Sequence, residues 1–244
     1  MKRKHTAAAA AYILLTAALA GILIATTALN VLKKYEEVRT VEFFIAPTAA
    51  VIAAVALLEN GKDRLKENIT VLAALIFTTC ADYVMVILNT NYPLSLAFFS
   101  AAQLCYYARI LCIRADKKYF AVSGPVRAGI CAAGVIAAAL VVPDGTLTAA
   151  LAVFYFLNLL LNFAEAACLC KRAGRYIMFA TGLLLFIGCD VCVGLNAADI
   201  VGIRIPSDWR FAINIIIWLF YGPSQALIAL SAAMRDRTPQ IKLN

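Results

Sequence analysis

The sequence predicts an all-α, polytopic integral membrane protein of eight transmembrane helices with both termini in the cytoplasm. Three observations carry this. Of 244 residues, 64% are hydrophobic and 15% charged, with a mean hydropathy of +0.85, against about 45–50% apolar and 25% charged in an ordinary soluble domain. Apolar runs of spanning length recur eight times. Basic residues gather on alternate connections between them. A water-soluble globule is excluded, and eight spans of about 20 residues with short loops leave no room for a separate soluble domain. Residues 1–244 therefore read as a single transmembrane helical domain. Lys and Arg outnumber Asp and Glu by 22 to 14, an excess that in a membrane protein reports orientation and lipid contact; no nucleic-acid partner is expected.

The runs fall at about 7–32, 41–58, 69–88, 94–113, 126–142, 148–170, 176–196 and 211–233. The first opens on Lys2, Arg3 and Lys4 and contains Ala18-Leu19-Ala20, a signal-peptide-like cleavage pattern. It continues well beyond the length of a signal peptide's apolar core and so reads as an uncleaved helix. An internal N-terminus places sixteen basic residues inside, among them Arg64, Lys66, Arg114, Arg127 and Arg175, together with Lys62, Arg235, Arg237 and Lys242. Only Lys33, Lys34, Arg39, Arg204 and Arg210 fall outside, with Arg109 inside helix four. Helix five carries Gly129-x-x-x-Ala133 and Gly134-x-x-x-Ala138, spacings of close helix packing, and no polar face.

The eight cysteines lie within or at the ends of apolar runs, where they act as small apolar side chains. Cys189 and Cys192 form a C-x-x-C without a second pair, and the one histidine is His5 in the tail, so neither a metal nor another cofactor is expected.

Ionisable groups within a span cost a few kcal/mol and demand a partner or a task. Asp82, Arg109, Glu165 and Asp190 are four such groups. Asp82 and Asp190 sit at matching depth in helices three and seven, which run in the same direction. Thr78 and Thr79 stand one turn before Asp82, within reach of its carboxyl. Two carboxyls sharing a poorly hydrated pocket do not both ionise easily, so one keeps a proton to donate while the other accepts one or stabilises a cation. Two separate helix-packing carboxyls are the alternative. Arg109 and Glu165, both in cytoplasmic halves, read most simply as a structural ion pair.

Tyr155, Asn158, Asn162 and Glu165 share one face of helix six. Helix eight repeats the theme with Asn214, Trp218, Tyr221 and Gln225, and helix four with Gln103, Tyr106 and Tyr107. Such faces serve either as interhelical glue or as the lining of a polar cavity. Phe77, Asp82 and Asn89 are echoed by Phe186, Asp190 and Asn196, and Phe99-x-x-x-Gln103 by Tyr221-x-x-x-Gln225, a possible 4+4 parallel repeat.

These motifs resemble those of the YhhN-like lysoplasmalogenases, a family of eight-helix membrane proteins. Ile76-Phe77-Thr78-Thr79-Cys80-Ala81-Asp82 resembles their Phe-Ser-x-x-Gly-Asp. Leu185 to Asp190 resembles their Phe-x-x-Ser-Asp, with Asn196 fitting the asparagine beyond. Phe99 to Tyr106 resembles Phe-x-x-x-His-x-x-Tyr, and Tyr221 with Gln225 to Ile228 resembles the terminal Tyr-x-x-x-Gln-x-Leu-Ile. Pro47 fits a Lys-Pro step. The order holds over roughly residues 35–232. Gln103 stands where the family has histidine, Ala46 where it has lysine and Cys189 where it has serine.

The resemblance implies hydrolysis of the vinyl ether bond of a lysophospholipid substrate, lysoplasmalogen, to a fatty aldehyde and a glycerophospho head group. Asp82 and Asp190 are the implied catalytic pair, without a metal. Thr78, Gln103, Tyr106, Asn158, Asn196, Tyr221 and Gln225 are the expected substrate-binding residues, with the head group near Asn158, Tyr221 and Gln225 and the alkyl chain among the bundle's apolar side chains. Membrane lipids surround it, and the cell membrane is the expected location. A non-catalytic lipid-binding or transport protein with a polar intramembrane cavity is the rival reading, and a structural assembly partner a third.

Overall fold

The computed structural model describes residues 2–32, 34–60, 64–142, 146–196 and 204–234. Lys33, Lys62, Arg235, Arg237 and Lys242, which enter the charge count above, lie outside them. The described residues form helices and connections without a strand: α1 (Lys2–Val31), α2 (Tyr35–Phe43), α3 (Ile45–Asn60), α4 (Leu65–Asp82), α5 (Tyr92–Arg114), α6 (Lys117–Val141), α7 (Thr146–Ala167), α8 (Gly174–Asn196) and α9 (Ser207–Ala233). A π-helical turn, Tyr83–Leu88, prolongs α4. Helix is what a chain this apolar must form in lipid, where each backbone N–H and C=O needs a partner within its own segment.

Eight helical segments are long and apolar enough to cross a membrane, with α2 and α3 joining as one span, Glu37–Asn60, and α4 with its π turn as another, Leu65–Leu88. The protein is an integral, multi-pass, all-α membrane protein. The bundle is built on α3, α4, α5, α7, α8 and α9; α1 leans on α3 and α9, and α6 packs chiefly on α7. Ile13, Leu14 and Ile24 of α1, with Ile136, Leu140 and Val141 of α6, are accordingly exposed and turned to lipid.

The ends obey local chemistry. Asn91, itself left-handed at φ 51°, caps α5 by accepting from the Leu94 amide at 3.3 Å, with Pro93 in the first turn. Ala115 at φ 52° closes α5, and Asp116 starts α6 by accepting from the Lys118 amide at 2.8 Å. Close approach of α8 to α9 depends on Gly182: a Cβ there would lie 2.7 Å from Ile228 Cγ1 and 3.0 Å from the Ser224 carbonyl.

The fifth span begins at Lys117, nine residues before the expected 126. Arg127, expected in a cytoplasmic loop, is a buried residue inside α6, so this helix does carry a polar group into the bundle. Its two small-residue spacings divide: Gly134 packs against α7, where a Cβ would meet Leu157 Cδ1 at 2.4 Å, while Gly129 has open space around it.

The candidate active site between α4, α7, α8 and α9

Asp82 and Asp190 each stand six residues before the end of their spans, at Leu88 and Asn196. With about 1.5 Å of rise per residue, both lie roughly 9 Å below the same end of the bundle. That end also carries Arg39 and Arg210; the opposite end carries Arg64, Lys66, Arg114, Lys171, Arg172 and Arg175.

Each carboxyl receives a tyrosine hydroxyl from a neighbouring helix. Tyr221 of α9 donates to Asp82 Oδ2, and Tyr155 of α7 donates to Asp190 Oδ2 at 2.5 Å. One ring joins the pairs: Phe186 of α8 packs edge-on to Tyr221 at 5.7 Å and to Tyr155 at 6.4 Å between centroids. Phe99 extends the wall from Tyr155 at 5.4 Å, and Trp218 from Tyr221 at 5.6 Å. Cys189, one residue before Asp190, is buried. Asp82 is 2% exposed, whereas Asp190 is only half-buried.

Thr78 and Thr79 return their hydroxyls to their own helix, to the Ala74 carbonyl at 3.0 Å and the Leu75 carbonyl at 2.9 Å. They do not hold Asp82, contrary to expectation, because a threonine inside a helix finds the carbonyl four residues back at hand. The Asp82 segment is fixed by its backbone instead. Ser95 of α5 donates to the Ala81 carbonyl at 3.1 Å, and Arg39 Nε of α2 donates to the Val86 carbonyl in the π turn at 2.9 Å. Phe43 of α2 also packs edge-on against Tyr83, centroids 5.9 Å apart.

Towards the basic end lies a layer of buried amides. Asn162 Nδ2 donates to the Gln103 carbonyl at 2.8 Å and to Gln103 Oε1 at 3.0 Å, and Gln225 Nε2 donates to Ser224 Oγ at 3.0 Å. Gln103 Nε2, Asn162 Oδ1 and Gln225 Oε1 are buried there without a hydrogen-bond partner among the described residues, and the buried Tyr106 hydroxyl faces Thr78. Pro223, which has no N–H to give its helix, stands between Tyr221 and Gln225 in α9.

Two expected substrate-binding residues, Asn158 at the head group and Asn196, have other work. Asn158 accepts from Arg127 at 2.9 Å and donates to the Phe154 carbonyl at 2.8 Å and Cys131 Sγ at 3.3 Å. Its amide is thereby used up within α6 and α7, away from Tyr221 and Gln225 of α9. Asn196 donates to Asn214 Oδ1 at 2.6 Å and ties the end of α8 to α9.

The expected Arg109–Glu165 pair is replaced by two others. Arg109, fully buried, meets Glu67 of α4 at 3.0 Å, donates to Ser231 Oγ at 2.7 Å and lies 4.2 Å over the Phe179 ring; Arg175 approaches Glu67 at 3.6 Å. Glu165 pairs with Arg127 at 3.0 Å, whose guanidinium lies 3.9 Å over the Tyr107 ring. Glu67 had been placed outside the apolar runs, and Arg127 had been counted among the cytoplasmic basic residues. Sequence reasoning also missed Tyr155 as the partner of Asp190, although Tyr155 heads the polar face of its helix.

A four-helix repeat would place Phe99 where Asp190 needs its donor, matching Tyr221 beside Asp82. Phe99 has no hydroxyl; Tyr155 supplies one, and Phe99 packs on it.

No curated protein and no solved structure matches this chain. The family model described as the YhhN family matches residues 41–232, a stretch that contains both aspartates, both tyrosines and the amide layer between them. This chain belongs to the YhhN family.

Proposed function

We propose that the protein is a membrane-embedded hydrolase of the lysoplasmalogenase type, cleaving the vinyl ether of a lysophospholipid by the paired action of Asp82 and Asp190. The observation that carries the proposal is the arrangement of these carboxyls, at one depth, each receiving a tyrosine hydroxyl, with Phe186 between the tyrosines.

Hydrolysis of RCH=CH–O–R′ starts when a carboxylic acid gives its proton to the enol carbon remote from oxygen, leaving an oxocarbenium ion. The second aspartate, ionised, stabilises this cation and then accepts a proton from the water that adds to it. The hemiacetal collapses to RCH₂CHO and HO–R′, one water being consumed. Tyr155 and Tyr221 hold each carboxyl in one orientation. Thr78 is buried one turn before Asp82 in α4, and Asn196 with Asn214 ties the end of α8 to α9. Gln103 and Gln225, in the same layer as Tyr106, suit the hydrolytic water, because their unpartnered polar atoms are what a buried water needs, two to four bonds in a confined polar space.

The test is incubation of the purified protein with lysoplasmalogen and measurement of released fatty aldehyde. Aldehyde formed in proportion to enzyme supports the reading. Binding of the lipid with no aldehyde replaces it by the rival one, a lipid-binding or transport protein.

A further inference from the structure

The geometry points to Arg39 as the receiver of the substrate's phosphodiester, which sets the head group at the end of the bundle nearer the aspartates. The inference rests on the hydrolase reading above and adds to it the direction in which the lipid lies.

Arg39 belongs to α2, which joins α3 in one span and opens it at that end. One hydrogen bond anchors it, from Nε to the Val86 carbonyl, four residues beyond Asp82 and inside the π turn, and the Glu42 carboxyl three residues on in α2 lies near enough to attract it. None of the hydrogen bonds among the described residues engages its terminal nitrogens, and the side chain is half-buried. The helix that presents it is fixed by Phe43 against Tyr83 and by Glu42, which accepts from Asn30 of α1 at 3.3 Å. A guanidinium held by one nitrogen keeps two others in the fork that suits a phosphate oxygen pair.

The spacing agrees with the lipid. Four residues from Asp82 to Val86 are about 6 Å of helix, and the guanidinium continues outward from there. In a lysoplasmalogen the enol carbon that takes the proton and the phosphorus are seven bonds apart, about 9 Å when extended. With the vinyl ether at Asp82 and Asp190, the phosphate reaches Arg39. The other end does not offer this match, since Lys66 at the start of α4 stands about 24 Å of helix from Asp82 and, nearer, Asn158 is committed to Arg127. Arg210 donates to the Asn196 carbonyl at 3.5 Å, so the second aspartate helix also ends beside an arginine.

The experiment compares two substrates with the same enol ether, a lysoplasmalogen and the corresponding alk-1-enylglycerol that lacks the phosphate. The wild-type protein is expected to show the higher kcat/KM on the phospholipid. Arg39→Gln lowers the ratio of the two kcat/KM values by about tenfold to a hundredfold, the usual size of a lost charge-assisted bond, and Arg39→Lys, which keeps the charge but not the fork, restores only part of it. A ratio unchanged in Arg39→Gln, or a fall shared equally by both substrates, makes Arg39 a brace of the π turn and overturns the proposal. Equal wild-type efficiency on the two substrates overturns it whether or not any variant folds. No aldehyde from either substrate overturns the hydrolase reading and this inference together. Inorganic phosphate added at the lipid's own concentration leaves the wild-type rate unchanged; competition there makes the ligand free phosphate and overturns the lipid assignment.

Discussion

Tyr155 and Asp190 meet across the α7–α8 contact at 2.5 Å, while the second aspartate of the pair takes its hydroxyl from a different helix, α9. The two carboxyls thus take their donors from the two helices α7 and α9 that pack on α8, and neither relies on its own helix for one.

Removing either hydroxyl tests this arrangement. Tyr155→Phe and Tyr221→Phe keep the rings packed on Phe186 but leave a carboxyl, half-buried at Asp190 and buried at Asp82, short of a donor, a loss of about 1–3 kcal/mol. Expressed in the barrier, this lowers kcat about tenfold to a hundredfold. Steady-state aldehyde release checks it, with thermal unfolding in detergent showing that each variant is folded.

Asp82→Asn and Asp190→Asn each abolish turnover. Asparagine keeps shape and hydrogen bonding but neither donates the proton that opens the enol ether nor stabilises the cation as an anion. The double variant falls little below either single one, because groups that act as a unit are strongly non-additive. Parent rates in both single variants would remove these residues from the chemistry.

Glu67→Gln strips the buried Arg109 of its counter-charge while Ser231 and the Phe179 ring remain. An uncompensated buried charge costs about 3–5 kcal/mol, so the unfolding midpoint drops sharply. The same substitution at Glu165, whose side chain is more open, costs less. Parallel denaturation curves in one detergent decide the order.

Gly182→Ala is expected to destabilise by about 1–3 kcal/mol, the range for overpacking. Its new methyl meets a flexible Ile228 side chain but also the Ser224 carbonyl, which moves only with the α9 backbone. Gly129→Ala, with open space around it, serves as the neutral comparison in the same measurement.

The spans were legible because lipid imposes a crude requirement, about 20 apolar residues each, that composition alone reveals. The beginnings of α4 and α6 were not. Glu67 and Arg127 look like loop residues to any local reading, and only the rotation of α5 and α7 brings them Arg109 and Glu165. Asp82 and Asp190 declared themselves by the cost of a carboxyl in a membrane. Their tyrosine partners did not, since Tyr155 and Tyr221 lie 35 and 139 residues away from them in the chain and nothing local encodes how helices face one another. Thr78 misled for the opposite reason: sequence proximity to Asp82 suggested a contact that its own helix had already claimed.

The lodging of α6 on α7 has a consequence for biosynthesis. Glu67 is made 42 residues before Arg109, so that arginine enters the bilayer with its acid already in place. Arg127 is made 38 residues ahead of Glu165 and enters first, on a helix whose chief neighbour does not yet exist. An arginine at the centre of an inserting helix costs about 2.5–3.5 kcal/mol on translocon scales. Insertion of α6 is therefore completed by the arrival of α7, and a nascent chain halted between the two leaves α6 as the segment most readily lost from the membrane.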